Sequence, residues 1–254
     1  MIKACFFDMD GTILSHTNNE IPKSTCLALS QLQKQGIHIV LATGRHLLEI
    51  EEMKGKDIPF DGYILLNGNI CLNKNKELIY GHPIDKHDQK ILIEMFYKKD
   101  FPLMLVEKDR FYINFINEYV EIAQAAISSP LPEIDAYRGN EIYQALPYIE
   151  KEGNLKSFLP NCTITRWNPY GLDINAKGEG KVSGIKRYME IHNINMDEII
   201  TFGDGENDEE MLAFSPLSVA MGNAPEKVKR KASYVTSSID EDGIYNALKH
   251  FNII

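Results

Sequence analysis

A short run at residues 2–7, IKACFF, apolar apart from Lys3, stops at Asp8-Met9-Asp10-Gly11-Thr12, and the same kind of stop recurs twice along the chain. Ile37 to Ala42 runs into Thr43-Gly44-Arg45, and Ile199 to Phe202 runs into Gly203-Asp204-Gly205 with Asn207 and Asp208 beyond. Apolar runs of this length, bounded by turn residues, fit strands covered on both faces, as in a parallel sheet. The intervening stretches agree. Lys23 to Gln35 places Leu27, Leu29 and Leu32 on or near one helical face, with Pro22 at its start and Gly36 at its stop, and a second helical stretch runs from Arg45 to about Lys56. Strand, helix, strand, helix predicts a parallel α/β sheet. Ligands bind such sheets beyond the carboxyl ends of the strands, so the three polar clusters are expected to converge.

The middle of the chain reads differently. Between Tyr63 and Tyr80, short apolar runs are broken by Asn67-Gly68 and by residues 73–76, turn signals that predict antiparallel hairpin strands. From Ile84 to Lys177 the spacing predicts helices at 86–99, 118–127 and 150–158, strands at 103–107, 110–115 and 143–148, and a final strand pair around 163–175. After Gly178 the parallel pattern resumes: helix 181–192, strand 199–202, helix 208–214, strand 218–221 and helix 243–251. The expected organisation is a core, residues 1–83 and 178–254, interrupted by an α+β insert, residues 84–177.

Charge narrows the class of partner. Thirty-six acidic against 27 basic residues give a net charge of −9, and the insert alone carries 14 acidic and 11 basic residues, so neither part is a basic, polyanion-binding domain. Nucleic acid and acidic membrane surfaces are not expected partners, and an anionic substrate would need local positive charge. Cys5, Cys26, Cys71 and Cys162 form no CxxC pair, a reduced, cytosolic pattern. No 18-residue apolar run exists, and Asp8 and Asp10 stand where a signal peptide would need an apolar stretch. The seven histidines show no ligand spacing, and the scattered methionines read as core filler.

Asp8, Asp10, Asp204 and Asp208, if brought together, would repel one another and stay ionised only with a cation among them. Mg²⁺ is the octahedral, oxygen-seeking ion that suits a few carboxylates and phosphate oxygens. With a metal present, a carboxylate can attack phosphorus.

These residues sit in motifs that resemble the haloacid dehalogenase superfamily of phosphohydrolases, specifically its Cof-type subfamily. FFDMDGT, LATGR, KGEGK followed by a helix, and FGDGENDEEML occur in the family's order and spacing, and the tail VAMGNAPEKVKRKASYV followed by DEDGI is similar too. The resemblance covers nearly the whole chain. It implies a doubly wound, Rossmann-like parallel sheet with an inserted α/β cap that closes over the site and selects the leaving group. It also implies a Mg²⁺-dependent phosphomonoester hydrolase acting on small phosphorylated metabolites, sugar phosphates foremost; the cytoplasmic location is expected from the cysteine pattern and the charged amino terminus.

Residue by residue, the resemblance makes Asp8 the nucleophile that forms a phosphoaspartate and Asp10 the acid that protonates the leaving alcohol and then takes the proton of the attacking water. Asp8, the backbone carbonyl of Asp10, and Asp204 would ligate Mg²⁺, with Asp208 behind them. Thr43, Gly44, Lys181 and Asn207 would hold the phosphate, and Lys177, four residues before Lys181, is the alternative lysine. Candidate substrate selectors are Arg45, Asn67, Arg166 and Trp167. Each has a plain structural alternative: Arg45 as one half of an ion pair, Asn67-Gly68 as a turn, Arg166 and Trp167 as packing. Asn69 departs from the small residue common after Asn-Gly in the family. Two other functions remain in view. A phosphosugar mutase would need to grip a second phosphate, for which the insert offers only Arg110, Arg138 and Arg166. A receiver-like module that keeps phosphate as a signal would be about half this length and would not need Asp10.

Overall fold

The computed structural model describes residues 1–52, 58–127, 129–178 and 180–254. The chain divides into two compact units, one made of Met1–Tyr80 with Gly180–Ile254 and the other of Gly81–Glu179.

The first unit begins β1 (Ala4–Phe7), α1 (Lys23–Lys34), β2 (His38–Ala42), α2 (Leu47–Glu52), β3 (Gly62–Leu65), β4 (Ile70–Asn73) and β5 (Leu78–Gly81). The second holds α3 (Lys86–Lys98), β6 (Leu103–Val106), β7 (Phe111–Ile113), α4 (Glu118–Ala126), β8 (Gln144–Pro147), α5 (Leu155–Phe158), β9 (Cys162–Asn168) and β10 (Gly171–Ala176). The chain then returns to the first with α6 (Lys181–His192), β11 (Ile199–Gly203), α7 (Glu209–Phe214), β12 (Ser218–Ala220), α8 (Glu226–Lys229), β13 (Tyr234–Val235) and α9 (Gly243–His250).

In the first unit the strands lie in the order β13-β12-β11-β1-β2-β3-β4-β5, parallel from β13 to β3 and antiparallel between β3 and β4. Every residue of β1, β3 and β11 is buried, as their unbroken apolar runs require. Helix α6 packs on this sheet through Ile185, Tyr188 and Met189, which share a core with Phe6, Val40 and Ile64; the Tyr188 ring meets Phe6 edge-on at 5.7 Å. Register is what matters for function. Phe7 pairs with Phe202 on one side and Leu41 on the other, so β1, β2 and β11 finish at one level and deliver Asp8, Thr43 and Asp204 to one edge of the sheet.

The second unit is a sheet of order β7-β6-β8-β10-β9 with antiparallel pairing. Leu92 and Phe96 of α3 pack with Leu103, Leu105, Tyr112, Leu172 and Ile174 in a separate core. Asp85 caps α3 by accepting from the His87 N–H at 2.8 Å, and Asn117 caps α4 by accepting from Tyr119 and Val120.

The structure differs from the sequence reading in particular places. The helix expected over 150–158 is only Leu155–Phe158, because Gly153 turns the chain at φ +55°, outside the helical region. The helix expected to reach Lys56 is described as Leu47–Glu52, and its remainder lies outside the described residues. The Tyr63–Tyr80 stretch is only partly a hairpin, since β3 also pairs in parallel with β2. The strand Tyr234–Val235 and helix Glu226–Lys229 were not anticipated; two and four residues give no readable period.

Candidate active site

Asp8 follows the last residue of β1, and its N–H still donates to Phe202 O at 3.0 Å, which keeps its backbone in the sheet. The chain then turns back on itself, with Ile13 and Leu14 both donating to Met9 O. Gly11 occupies this turn at φ +81°, where a side chain would be strained and would also run into the Asp204 carboxylate. The turn leaves Thr12 Oγ1 donating to Asp204 Oδ1 at 2.7 Å. Beyond β11, Asp208 Oδ2 accepts from the N–H groups of Asp204 at 3.0 Å and Gly205 at 2.9 Å, closing the loop on itself. Lys181, the first residue of α6, reaches both strand ends: its Nζ lies 2.5 Å from Asp8 Oδ1 and 2.7 Å from Asp208 Oδ1.

The electrostatics of this cluster are unbalanced. Carboxylate oxygens of Asp8, Asp204 and Asp208 lie within 4.8 Å of one another, and among the described residues Lys181 is the cation paired with two of them, Asp8 and Asp208. Burial, with Asp208 next in weight, holds the Asp8 carboxyl well above the usual carboxylate range despite Lys181. Burial pushes Asp204 up to about 6 against the opposing hydrogen bond from Thr12. Lys181 moves the other way from a normal buried amine: burial favours its neutral form, but Asp208 and Asp8 outweigh that and raise it. Both oxygens of Asp208 are already engaged, by Lys181 and by two backbone amides. Asp8 Oδ2, by contrast, has no hydrogen bond among the described residues. A donor set made only of oxygens, with surplus negative charge, suits a hard divalent cation.

The other anticipated residues are placed as follows. Thr43 follows the last residue of β2, its N–H donating to Ile64 O at 2.8 Å and its hydroxyl accepting from Arg45 N–H at 3.1 Å, with Gly44 between them. Arg45 is paired: its Nε and Nη2 grip both oxygens of Asp10 at 2.7 Å, a bidentate fork that fixes the direction of that carboxylate. Asn67 adopts φ +53° and donates its N–H to Thr43 O at 3.0 Å, while its Oδ1 accepts from Asn207 Nδ2 at 3.4 Å, so Thr43, Asn67 and Asn207 form one rim. Asn69 is buried and donates to Leu66 O, inside the turn.

Lys181, buried, and not the exposed Lys177, is the lysine on Asp8; Lys177 donates its backbone N–H to Asn161 O. Arg166 and Trp167 lie on β9 of the second unit. Arg166 Nη1 donates to the carbonyls of Ile149, Asn168 and Pro169, and the Trp167 ring lies so close to Gly171 that any side chain there would clash. Two contacts with Asp204 were not foreseen, those of Thr12 and of Asn223, although both residues stand in motifs legible in the sequence.

The sequence profile of the haloacid dehalogenase-like hydrolases matches residues 5–248. The chain is 30% identical to the Bacillus subtilis protein YkrA over 256 residues, covering 99% of this chain and 98% of that one. Its fold is similar to that of BT1666, a phosphatase of the haloalkanoate superfamily from Bacteroides thetaiotaomicron, at TM-score 0.88 and 33% identity, covering 100% and 96% of the two chains. It is similar also to the subclass IIB sugar phosphatase BT4131, at TM-score 0.83 and 37% identity, covering 99% and 100%. With the profile matched nearly from end to end, this chain belongs to the haloacid dehalogenase-like hydrolase family.

Proposed function

We propose that the protein hydrolyses phosphomonoesters of small metabolites, sugar phosphates foremost, through a phosphoaspartate on Asp8. The observation that carries this reading is the juxtaposition at one sheet edge of Asp8, with one oxygen held by Lys181 and the other uncommitted, and of Asp10, two residues on, oriented by Arg45. The likeness to a sugar phosphatase of subclass IIB supports the substrate class.

In the first step a carboxylate oxygen of Asp8 attacks phosphorus, an O–P bond forms, and the P–O bond to the alcohol breaks as Asp10 gives that oxygen its proton. In the second, water attacks the same phosphorus, Asp10 takes the proton back, and the acyl phosphate bond breaks to release phosphate and restore Asp8. Lys181 answers the charge on the transferring phosphoryl group, and Thr43, Gly44 and Asn207 bind its oxygens. Asp8, Asp204 and the Asp10 carbonyl would hold Mg²⁺, which when bound supplies the positive charge this acidic cluster lacks.

A mutase reading is less well supported, because the arginines of the second unit are committed. Arg110 pairs with Glu107 and Asp135, Arg138 with Asp135, and Arg166 with three carbonyls. The test is phosphate release, with Mg²⁺, from a panel of sugar, polyol, nucleotide and cofactor phosphates. Release from one class, abolished by Asp8→Asn, supports hydrolysis; transfer of phosphate to a sugar without release would replace this reading with the mutase.

A further inference from the structure

The loop after β12 carries Asn223, in the tail motif that the catalytic scheme leaves without a role. Its side-chain amide has two donors and one acceptor, and all three are used. Nδ2 donates to Gly11 O at 2.9 Å and to Asp204 Oδ2 at 3.1 Å, while Oδ1 accepts from Ile239 N–H at 3.0 Å. These partners lie 212, 19 and 16 residues away in sequence. The Ile239 end is itself anchored, since the neighbouring Asp240 accepts from Ser15 Oγ at 2.6 Å and Thr17 Oγ1 at 2.9 Å. The loop that follows Asp8 is thus tied to the C-terminal segment at two places, and Asn223 is the tie that also touches Asp204.

Asp204 is consequently held by one donor on each oxygen, Thr12 Oγ1 on Oδ1 and Asn223 Nδ2 on Oδ2. Each carboxylate oxygen has a second lone pair, so both bonds orient the group and leave it able to ligate. We infer that Asn223 is a positioning residue for the cation site: it sets the plane of the Asp204 carboxylate and, through Gly11 O, the turn that carries the Asp10 carbonyl. This rests on the reading above in which Asp204 and Asp10 hold Mg²⁺. Partners that orient a metal ligand commonly matter tenfold to a hundredfold in metal affinity. Asn223 is exposed, so its removal opens no core cavity.

The experiment is a calorimetric Mg²⁺ titration of the protein without substrate, on wild type, Asn223→Ala and Asn223→Leu, the last of similar volume with no polar atoms. Melting in EDTA and kcat as a function of Mg²⁺ accompany it. The expected result is a Mg²⁺ Kd weakened about tenfold or more in both variants. Melting in EDTA should stay within about 4 °C of wild type, the shift that roughly 1 kcal/mol gives at this size. Saturating Mg²⁺ should return kcat to near the wild-type value, a split that loss of folded protein would not produce. An unchanged Kd in variants of a wild type that does bind Mg²⁺ would overturn the positioning role alone. A wild type that takes up no Mg²⁺ would overturn the cation reading and this inference with it.

Discussion

The two units treat buried carboxylates in opposite ways. In the second, Glu107 is buried at the end of β6 yet fully answered: Arg110 Nε donates at 2.9 Å, Tyr112 OH at 2.7 Å and Asn140 Nδ2 at 2.7 Å. Burial works to raise its carboxyl, but Arg110, Asn140 and Tyr112 outweigh burial and bring it below the usual range. In the first unit Asp8 and Asp204 are pushed upward, by burial first and by neighbouring carboxylates after it, and Lys181, paired with Asp8 and Asp208, does not offset this. A charge neutralised within its own sheet serves the fold, whereas a surplus held at the ends of parallel strands is strain that a ligand relieves.

The first way to break this contrast is Asp8→Asn. If the surplus serves chemistry, turnover should fall by a factor of at least about 10⁴, as for other nucleophile losses, while the variant stays folded; measurable steady-state hydrolysis by the variant would remove Asp8 from its role. Lys181→Met sharpens the contrast from the side of stability. It leaves buried carboxylates without their cation and should cost the metal-free protein about 3–5 kcal/mol in denaturant titrations, a loss that Mg²⁺ partly restores.

The pH dependence of Asp204 has a definite sign. Its carboxyl, near 4 when unfolded and about 6 when folded, binds more protons in the native state between those values, so its contribution to stability falls as pH rises through that window. Above it, in EDTA, Asp204→Asn should be more stable than wild type by up to about 3 kcal/mol, and the gain should shrink towards pH 4. Equal stabilities at pH 8 would show that the surplus charge is not a strain. The smallest effect belongs to the second unit. Glu107→Gln should lower stability by about 1–3 kcal/mol at neutral pH while leaving the Mg²⁺ affinity of the first unit unchanged.

The sequence made the first unit's site legible because strand ends are legible. Asp8, Thr43 and Asp204 each close an apolar run, and parallel register then aligns them without further information. Which way a long side chain turns is not written in the runs. Arg45, offered as a substrate selector, folds back onto Asp10, and Arg166 onto carbonyls of its own hairpin region. Lys181 is preferred over Lys177 in the sequence only by its place in the motif, since both flank the same glycines, and the structure puts Lys181 on Asp8. The Glu107 network was invisible for a related reason. Its partners at 110, 112 and 140 share no spacing, and a carboxylate next to a turn looks exposed until the sheet covers it. Asn223 stood in a motif with nothing in the sequence to say which of three distant segments its amide would join.

The central claim, a phosphoryl group carried on Asp8, is tested most directly by quenching turnover of a hydrolysed sugar phosphate with borohydride, which reduces an acyl phosphate to the alcohol, and mapping the product by peptide mass spectrometry. The account predicts reduction at Asp8, dependent on substrate and Mg²⁺. Continued phosphate release with reduction at another carboxylate, or at none, would contradict it.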